Sequence, residues 1–352
     1  MNYWLAYLAV WVLGLILFLA PIIVFNRKSP AWGRVQTLLP NIFLILFTLL
    51  FTLMALELFF KLFFAQSDGF RYTLASQNWY ERYWQENSLG YRDREWTPEN
   101  LAGKTKVMVV GDSFAAGSGI ANPQDRFSDQ LGRLLGDDFA VLVVASPGWD
   151  TADEVDAILN YPQRPDLLVL SYYINDIEGT AYQTGAQRPA IRRDPPAWLS
   201  PLVENSYAFN FLYWRLIRLG PQEWANIYWN EWLKKISVDP DIRWRHQQEL
   251  LKIIEGAASE QIPLIVVVFP SLTAVEESRE LLKPVVDLFH AHNIPVLDVS
   301  ELLAGRDPAT TTVNAMDAHP NEAVNLEVAQ HLYQLIRQSC QPPKCPEPTV
   351  HN

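Results

Sequence analysis

Five short, continuous apolar runs constrain what this chain can fold into more than any other feature. They occupy residues 106–111, 139–145, 166–172, 262–269 and 294–299. None alternates polar with apolar, so a strand formed by any of them must be covered on both faces. Between them, apolar residues recur at helical spacing over 127–135, 152–159, 272–291 and 321–336. Strands alternating with helices predict an α/β fold of three layers, α/β/α, around a parallel sheet. Ligands of such sheets lie beyond the carboxyl ends of the strands, where Ser113, Gly148 and Asn175 fall.

A different pattern precedes this domain. Residues 3–25 carry no charge, and a second apolar run spans 38–64, interrupted by Pro40 and carrying Glu57 and Lys61 near its end. The first would extend about 34 Å as a helix, enough for a hydrocarbon core of about 30 Å. It is too long for a signal peptide, lacks a basic start and is followed by a second run. Two N-terminal transmembrane helices within residues 1–65 are therefore expected. Glu57 and Lys61, one turn apart, can pair near the interface. The intervening loop holds Arg27, Lys28 and Arg34 and no acid. Placing it in the cytoplasm puts residues 66 onward on the periplasmic side of the inner membrane. Residues 66–104, polar and aromatic, read as a linker or collar.

The alternation stops over 178–245, where Trp198, Trp214, Trp224, Trp229, Trp232 and Trp244 cluster and segments 205–219 and 221–236 have helical character. This is expected to be a helical cap inserted into the 105–339 domain. Its aromatic residues suit the core of a small subdomain, or a rim touching membrane or an acyl chain. The net charge of −11 resides almost wholly outside the membrane segment and argues against nucleic acid as a partner. Cys340 and Cys345 flank Gln-Pro-Pro-Lys in a Pro-rich tail, 340–352, expected to be flexible. In an oxidising compartment they can close a small local disulfide; without further thiols they make a poor metal site.

The chemistry is concentrated at two distant places. Gly111-Asp112-Ser113-Phe114 follows the first apolar strand, and Asp317-Ala318-His319-Pro320 lies about 200 residues later. A serine is a weak nucleophile until an imidazole takes its proton, and the imidazole works best when an acid orients it. Gly148, in Ser146-Pro147-Gly148-Trp149, has no side chain to keep a substrate from its amide. Asn175 offers an amide donor without a charge, and Asp112 suits bracing of the serine turn. His246, His290, His292, His331 and His351 have no adjacent motif and are expected on the surface or along helices.

In order and character these blocks resemble those of the SGNH (GDSL-like) hydrolases, over residues 105–338 with the cap as an insertion. The resemblance implies an SGNH-hydrolase-like, flavodoxin-like α/β/α domain and a serine esterase that uses no metal and no cofactor. It implies Ser113 as nucleophile, His319 as base, Asp317 as acid, and the amides of Ser113 and Gly148 with the Asn175 side chain as oxyanion donors. Two positions depart from the family. The acid is usually three residues before the histidine, but Met316 stands there, leaving Asp317 two before; a backbone carbonyl or another carboxylate are the alternatives. Tyr173 replaces the glycine common two residues before the asparagine, which would narrow the pocket. The expected substrate is an acyl ester of an envelope glycan or lipid. An O-acyltransferase for exported polysaccharide, or an inactive relative serving as a binding or assembly subunit, are the rival readings. No protein partner is indicated.

Overall fold

The computed structural model describes residues 9–17, 19–20, 35–189, 194–216 and 227–339. Both ends of the first apolar run, the basic loop at 26–34, Trp224, and the tail with Cys340 and Cys345 lie outside the described residues. In chain order the elements are helix α1 (Val35–Leu62), α2 (Leu74–Tyr83), strand β1 (Thr105–Gly111), the single turn α3 (Ser113–Ala116), α4 (Phe127–Leu135) and β2 (Phe139–Ala145). Then come α5 (Thr151–Asn160), β3 (Leu167–Tyr173), α6 (Glu178–Gln183), α7 (Ser200–Asn205), α8 (Tyr207–Leu216) and α9 (Pro240–Ser259). The chain continues through β4 (Leu264–Phe269), α10 (Val275–Ala291), β5 (Val296–Asp298), β6 (Thr312–Asn314), β7 (Asp317–Pro320) and α11 (Glu322–Ser339). A π-helical stretch (Ile227–Leu233) and shorter helical turns lie between these elements. Two compact units result: residues 1–65 with 195–214, and residues 66–194 with 215–352.

The larger unit is an α/β fold. Its five strands run parallel in the order β2-β1-β3-β4-β5. Successive side chains of a strand point to opposite faces, and the buried residues divide accordingly. Met108, Val110, Leu142 and Leu170 pack on one face with Leu250 and Ile253 of α9 and Phe289 of α10. Val107, Val109, Val143 and Val169 pack on the other with Phe127 and Leu131 of α4 and Val328 and Leu332 of α11. Burying each large aliphatic side chain stabilises by about 1.5–3 kcal/mol, so two-sided coverage explains why these strands are continuous in hydrophobicity. Register sets Gly111 level with Ala145 and Ser171. The loops carrying Ser113, Gly148 and Asn175 thus leave three neighbouring strands at one edge.

Residues 66–104 were expected as a linker, yet they belong to this packing. Arg92, 1 % exposed, donates to the carbonyls of Gly117 and Ile120 at 2.6 Å and of Tyr83 at 3.0 Å. Asp93 accepts from Val143 N–H at 3.0 Å on the edge strand β2 and from the Trp96 indole at 2.7 Å. Buried charges require such partners, and the partners fix the segment in place. His246, expected at a surface or along a helix, sits on α9 but is buried, with its Nε2 3.1 Å from the Tyr172 hydroxyl. The region expected as one cap is also divided: 195–214 groups with the N-terminal segment, and from Pro240 onward α9 covers the sheet.

In the smaller unit, Asn41–Leu62 is long and apolar enough to cross a membrane, the one such helix among the described residues. Two were expected; the first run is described only in part, where 9–17 and 19–20 are helical. Trp11 meets Phe51 edge-on at 5.6 Å, and Gly14 leaves room for Leu50. Glu57 takes up a role the sequence did not suggest. Its carboxylate accepts from the Ser206 hydroxyl at 2.7 Å and the N–H groups of Tyr207 and Ala208 at 2.8 and 2.9 Å. It thereby satisfies donors that the first turn of α8 leaves unpaired, at the end of the helix dipole that favours an anion. Phe211 of α8 stacks on Phe60 at 4.2 Å.

Candidate active site

Strand β1 ends where its side chains run out of room. A Cβ on Gly111 would lie 2.7 Å from the Ser171 carbonyl and 3.0 Å from Ala115 Cβ, so only glycine lets the chain turn here. Asp112 caps the next turn, its Oδ1 accepting the Phe114 N–H at 2.8 Å. Ser113 opens α3 and is nearly buried. Its hydroxyl is 3.2 Å from Asp112 Oδ2 and 2.8 Å from His319 Nε2.

His319 and Asp317 both lie on β7, which pairs antiparallel with β6. His319 Nδ1 is 2.5 Å from Asp317 Oδ1, and the same oxygen accepts the His319 backbone N–H at 3.1 Å. With Nδ1 donating to a carboxylate, Nε2 is left as the acceptor facing Ser113. A continuous hydrogen-bond path therefore runs Ser113–His319–Asp317. Burial alone would raise the Asp317 carboxyl, but the His319 charge, its hydrogen bonds and the Ser67 hydroxyl outweigh it and hold the carboxyl below its ordinary value. Burial alone would lower the His319 imidazole, but Asp317 and, less strongly, Asp112 outweigh it and raise the imidazole.

Of the remaining expected site residues, Asn175 follows β3; burial raises the Asp112 carboxyl at the serine turn, with the Asn175 amide among the groups that oppose the rise. Gly148 is exposed in the loop after β2 with φ +85°, and a Cβ there would meet nothing within 4 Å. Tyr173 stacks on Phe114 at 4.1 Å, forming an aromatic wall beside the serine; burial pushes its phenol up.

Three features were not anticipated. Behind the serine turn, Glu154 and Asp176 are wholly buried; burial and the Asp112 carboxylate raise both carboxyls well above their ordinary values, and Glu154 adds to the rise at Asp176. Neither Glu154 oxygen finds a hydrogen-bond partner among the described residues. No group of three or more His, Cys, Asp or Glu among the described residues is arranged to hold a metal ion. Second, Gly119 lies against Asp317: a Cβ there would come 2.8 Å from Oδ2. Third, residues 67–69 reach the acid–base pair from the segment that precedes α2. Nothing local in the sequence of this segment signals a partner about 250 residues away.

No family model and no curated protein matches the chain. Among solved structures, TesA superposes with TM-score 0.41 at 14% identity, covering 67% of this chain and 100% of its own. A lipase/acylhydrolase from Enterococcus faecalis gives 0.41 at 15% identity, covering 68% and 98%. A carbohydrate acetylesterase family member from Sinorhizobium meliloti gives 0.39 at 16% identity, covering 66% and 98%. Overlays of this extent leave the assignment of function to the side chains of the site.

Proposed function

We propose that this protein is a membrane-anchored serine ester hydrolase of the SGNH type, acting outside the cytoplasm on an acyl ester of an envelope glycan or lipid. The observation that carries the reading is the unbroken contact of Ser113 Oγ, His319 and Asp317 at 2.8 and 2.5 Å. The same contact counts against an inactive binding subunit, because the acid two residues before the histidine still reaches its imidazole. The apolar Asn41–Leu62 helix and the basic loop at 26–34 support the anchoring and its orientation.

Ser113 Oγ adds to the ester carbonyl carbon while its proton passes to His319 Nε2. The N–H groups of Ser113 and Gly148 and the Asn175 amide take the oxyanion. An amide side chain offers donor hydrogens without a charge, and each such donor is worth about 3 kcal/mol. Collapse expels the alcohol, which takes the proton from His319. Water then repeats the sequence on the acyl-serine, with His319 accepting its proton and returning one to Ser113. Asp317 stays ionised and stabilises the imidazolium at each step.

The test is turnover of p-nitrophenyl acetate, butyrate and longer esters by the full chain in detergent, with fluorophosphonate labelling in parallel. Wild type is expected to turn over and to be labelled, and Ser113→Ala and His319→Ala to lose turnover. A folded wild type that does neither refutes the hydrolase. A wild type that is labelled by fluorophosphonate, yet releases its acyl group only onto an added glycan, would assign acyl transfer instead.

A further inference from the structure

The chain immediately after α1 makes a tightly bound loop before α2. Asp68, 1 % exposed, accepts the N–H groups of Phe70 at 2.9 Å, Tyr72 at 3.4 Å and Thr73 at 2.7 Å. Its own N–H lies 3.4 Å from the Ser76 hydroxyl on α2. The Ser67 carbonyl accepts from the Asn314 amide at 3.0 Å, and Asn314 also takes the Met316 N–H at 2.8 Å. One asparagine thus ties the loop to the turn that precedes Asp317. The loop contains two positive-φ residues, Gly69 at +75° and Arg71 at +58°. A carboxylate binding three backbone donors on either side of Arg71 is what sustains such a conformation in a non-glycine residue.

The loop's position matters as much as its shape. A Cβ added to Gly69 would sit 3.3 Å from Asp317 Oδ1 and 3.7 Å from His319 Cε1, so the Gly69 backbone lies against the acid–base pair. The Ser67 hydroxyl helps hold the Asp317 carboxylate ionised. The Tyr80 phenol of α2, with the Arg71 guanidinium 3.6 Å above its ring, is a further polar neighbour of Asp317. The other charged group facing His319 is Asp112, at the end of β1. We propose that residues 67–73 are a positioning element for the Asp317–His319 pair, Asp68 holding the loop, Ser67 tying it through Asn314 to the turn before Asp317, and Gly69 seating the acid. This rests on the reading of Ser113, His319 and Asp317 as an esterase site. The segment that joins the apolar helix to the α/β unit then completes the site, and activity depends on it.

Two glycines share φ +75° but differ in surroundings: a Cβ on Gly103 would meet nothing within 4 Å. Gly69→Ala and Gly103→Ala therefore carry the same backbone strain, and only the first presses on Asp317. In the full chain in detergent, Gly69→Ala is expected to lower kcat for p-nitrophenyl acetate about 10- to 100-fold, as displacement of a catalytic group does. KM should stay within about threefold, because the loop acts on the proton relay and not on ester binding. The ascending limb of the kcat/KM pH profile should move to lower pH, since a displaced Asp317 no longer raises the imidazole. Gly103→Ala should keep kcat and the limb while losing similar thermal stability. Asp68→Asn, which retains shape and weakens the three N–H bonds, should reproduce the kcat loss and the acidward limb if Gly69→Ala folds poorly. Active sites are counted by fluorophosphonate labelling. If wild type is active but Gly69→Ala and Asp68→Asn match Gly103→Ala in kcat per labelled site and in limb position, this inference alone is overturned. A folded wild type with neither turnover nor labelling overturns the esterase reading and this one with it.

Discussion

Replacing Asp317 with asparagine separates the two tasks of an orienting acid, holding the imidazole tautomer and stabilising its charge. Asp317 Oδ1 accepts both His319 Nδ1 at 2.5 Å and the His319 backbone N–H at 3.1 Å. An asparagine oxygen at that point keeps both bonds; the flipped amide would set its NH2 against two donors. The oxygen should therefore remain at Oδ1, and the NH2 takes the place of Oδ2 beside Gly119. The tautomer survives and the charge is lost. At a separation of about 4 Å and an effective dielectric of about 20, the lost attraction to an imidazolium is about 4 kcal/mol. The retained neutral hydrogen bond offsets part of this, about 1 kcal/mol. A kcat lowered by about 10²- to 10³-fold follows, compared with about 10⁴ when an asparagine forces the wrong tautomer in a serine-protease triad. The assay is single-turnover release of p-nitrophenol, with melting temperatures run alongside. A kcat within threefold of wild type would remove Asp317 from the relay. A fall of 10⁴ or more would mean that the amide flips and that the backbone N–H does not govern its orientation.

His319 is raised above its ordinary value of 6.5 by its carboxylate neighbours, against the effect of burial. The ascending limb of kcat/KM should therefore lie above that pH, as a rate profile will show. A raised histidine contributes stability that is complete below its unfolded value and lost as pH rises through the folded one. The melting-temperature gap between wild type and Asp317→Asn should accordingly be wide in mild acid and close at alkaline pH. Glu154→Gln should stabilise, because a buried carboxyl with a raised pKa costs stability above its unfolded value; until the pH reaches its folded value the gain over wild type grows by about 1.4 kcal/mol per pH unit, read by thermal melts at several pH values. Glu57→Ala removes three hydrogen bonds at the start of α8 and should cost about 2 kcal/mol locally, seen as roughly 30-fold faster limited proteolysis within 195–216.

The strands and covering helices were legible because coverage on both faces demands continuous hydrophobicity, a local property of sequence. Phe139–Ala145 and Phe127–Leu135 form over the residues their patterns indicate. The Ser113 turn was legible for a similar reason, since glycine, a capping aspartate and a serine occupy consecutive positions. What was not legible depends on partners far apart in the chain. Arg92 reads as one charge in a polar stretch until its carbonyl partners at 117 and 120 are placed around it. Glu57 reads as an interfacial acid until the N-terminus of α8 arrives. The β6–β7 ribbon is too short to announce itself by periodicity, yet it carries two of the proposed catalytic groups.

That ribbon also accounts for the spacing that set this chain apart from the family it resembles. An acid three residues before its histidine shares a face with it when the backbone turns helically. An acid two residues before shares a face only when the backbone is extended, because side chains alternate along a strand. Here Asp317 and His319 are both on β7, with the intervening Ala318 exposed. The one-residue shift of the acid and the extended backbone are thus a matched pair, and neither would bring the carboxylate to Nδ1 alone. It follows that moving the acid to the usual place, Met316→Asp with Asp317→Ala, should not restore the relay. Residue 316 lies in the turn before β7 and not on the strand face that 317 and 319 share, so the new carboxylate would leave the histidine without its partner. Activity equal to wild type in that double variant would mean that the extended conformation of 317–320 is not what sets the spacing.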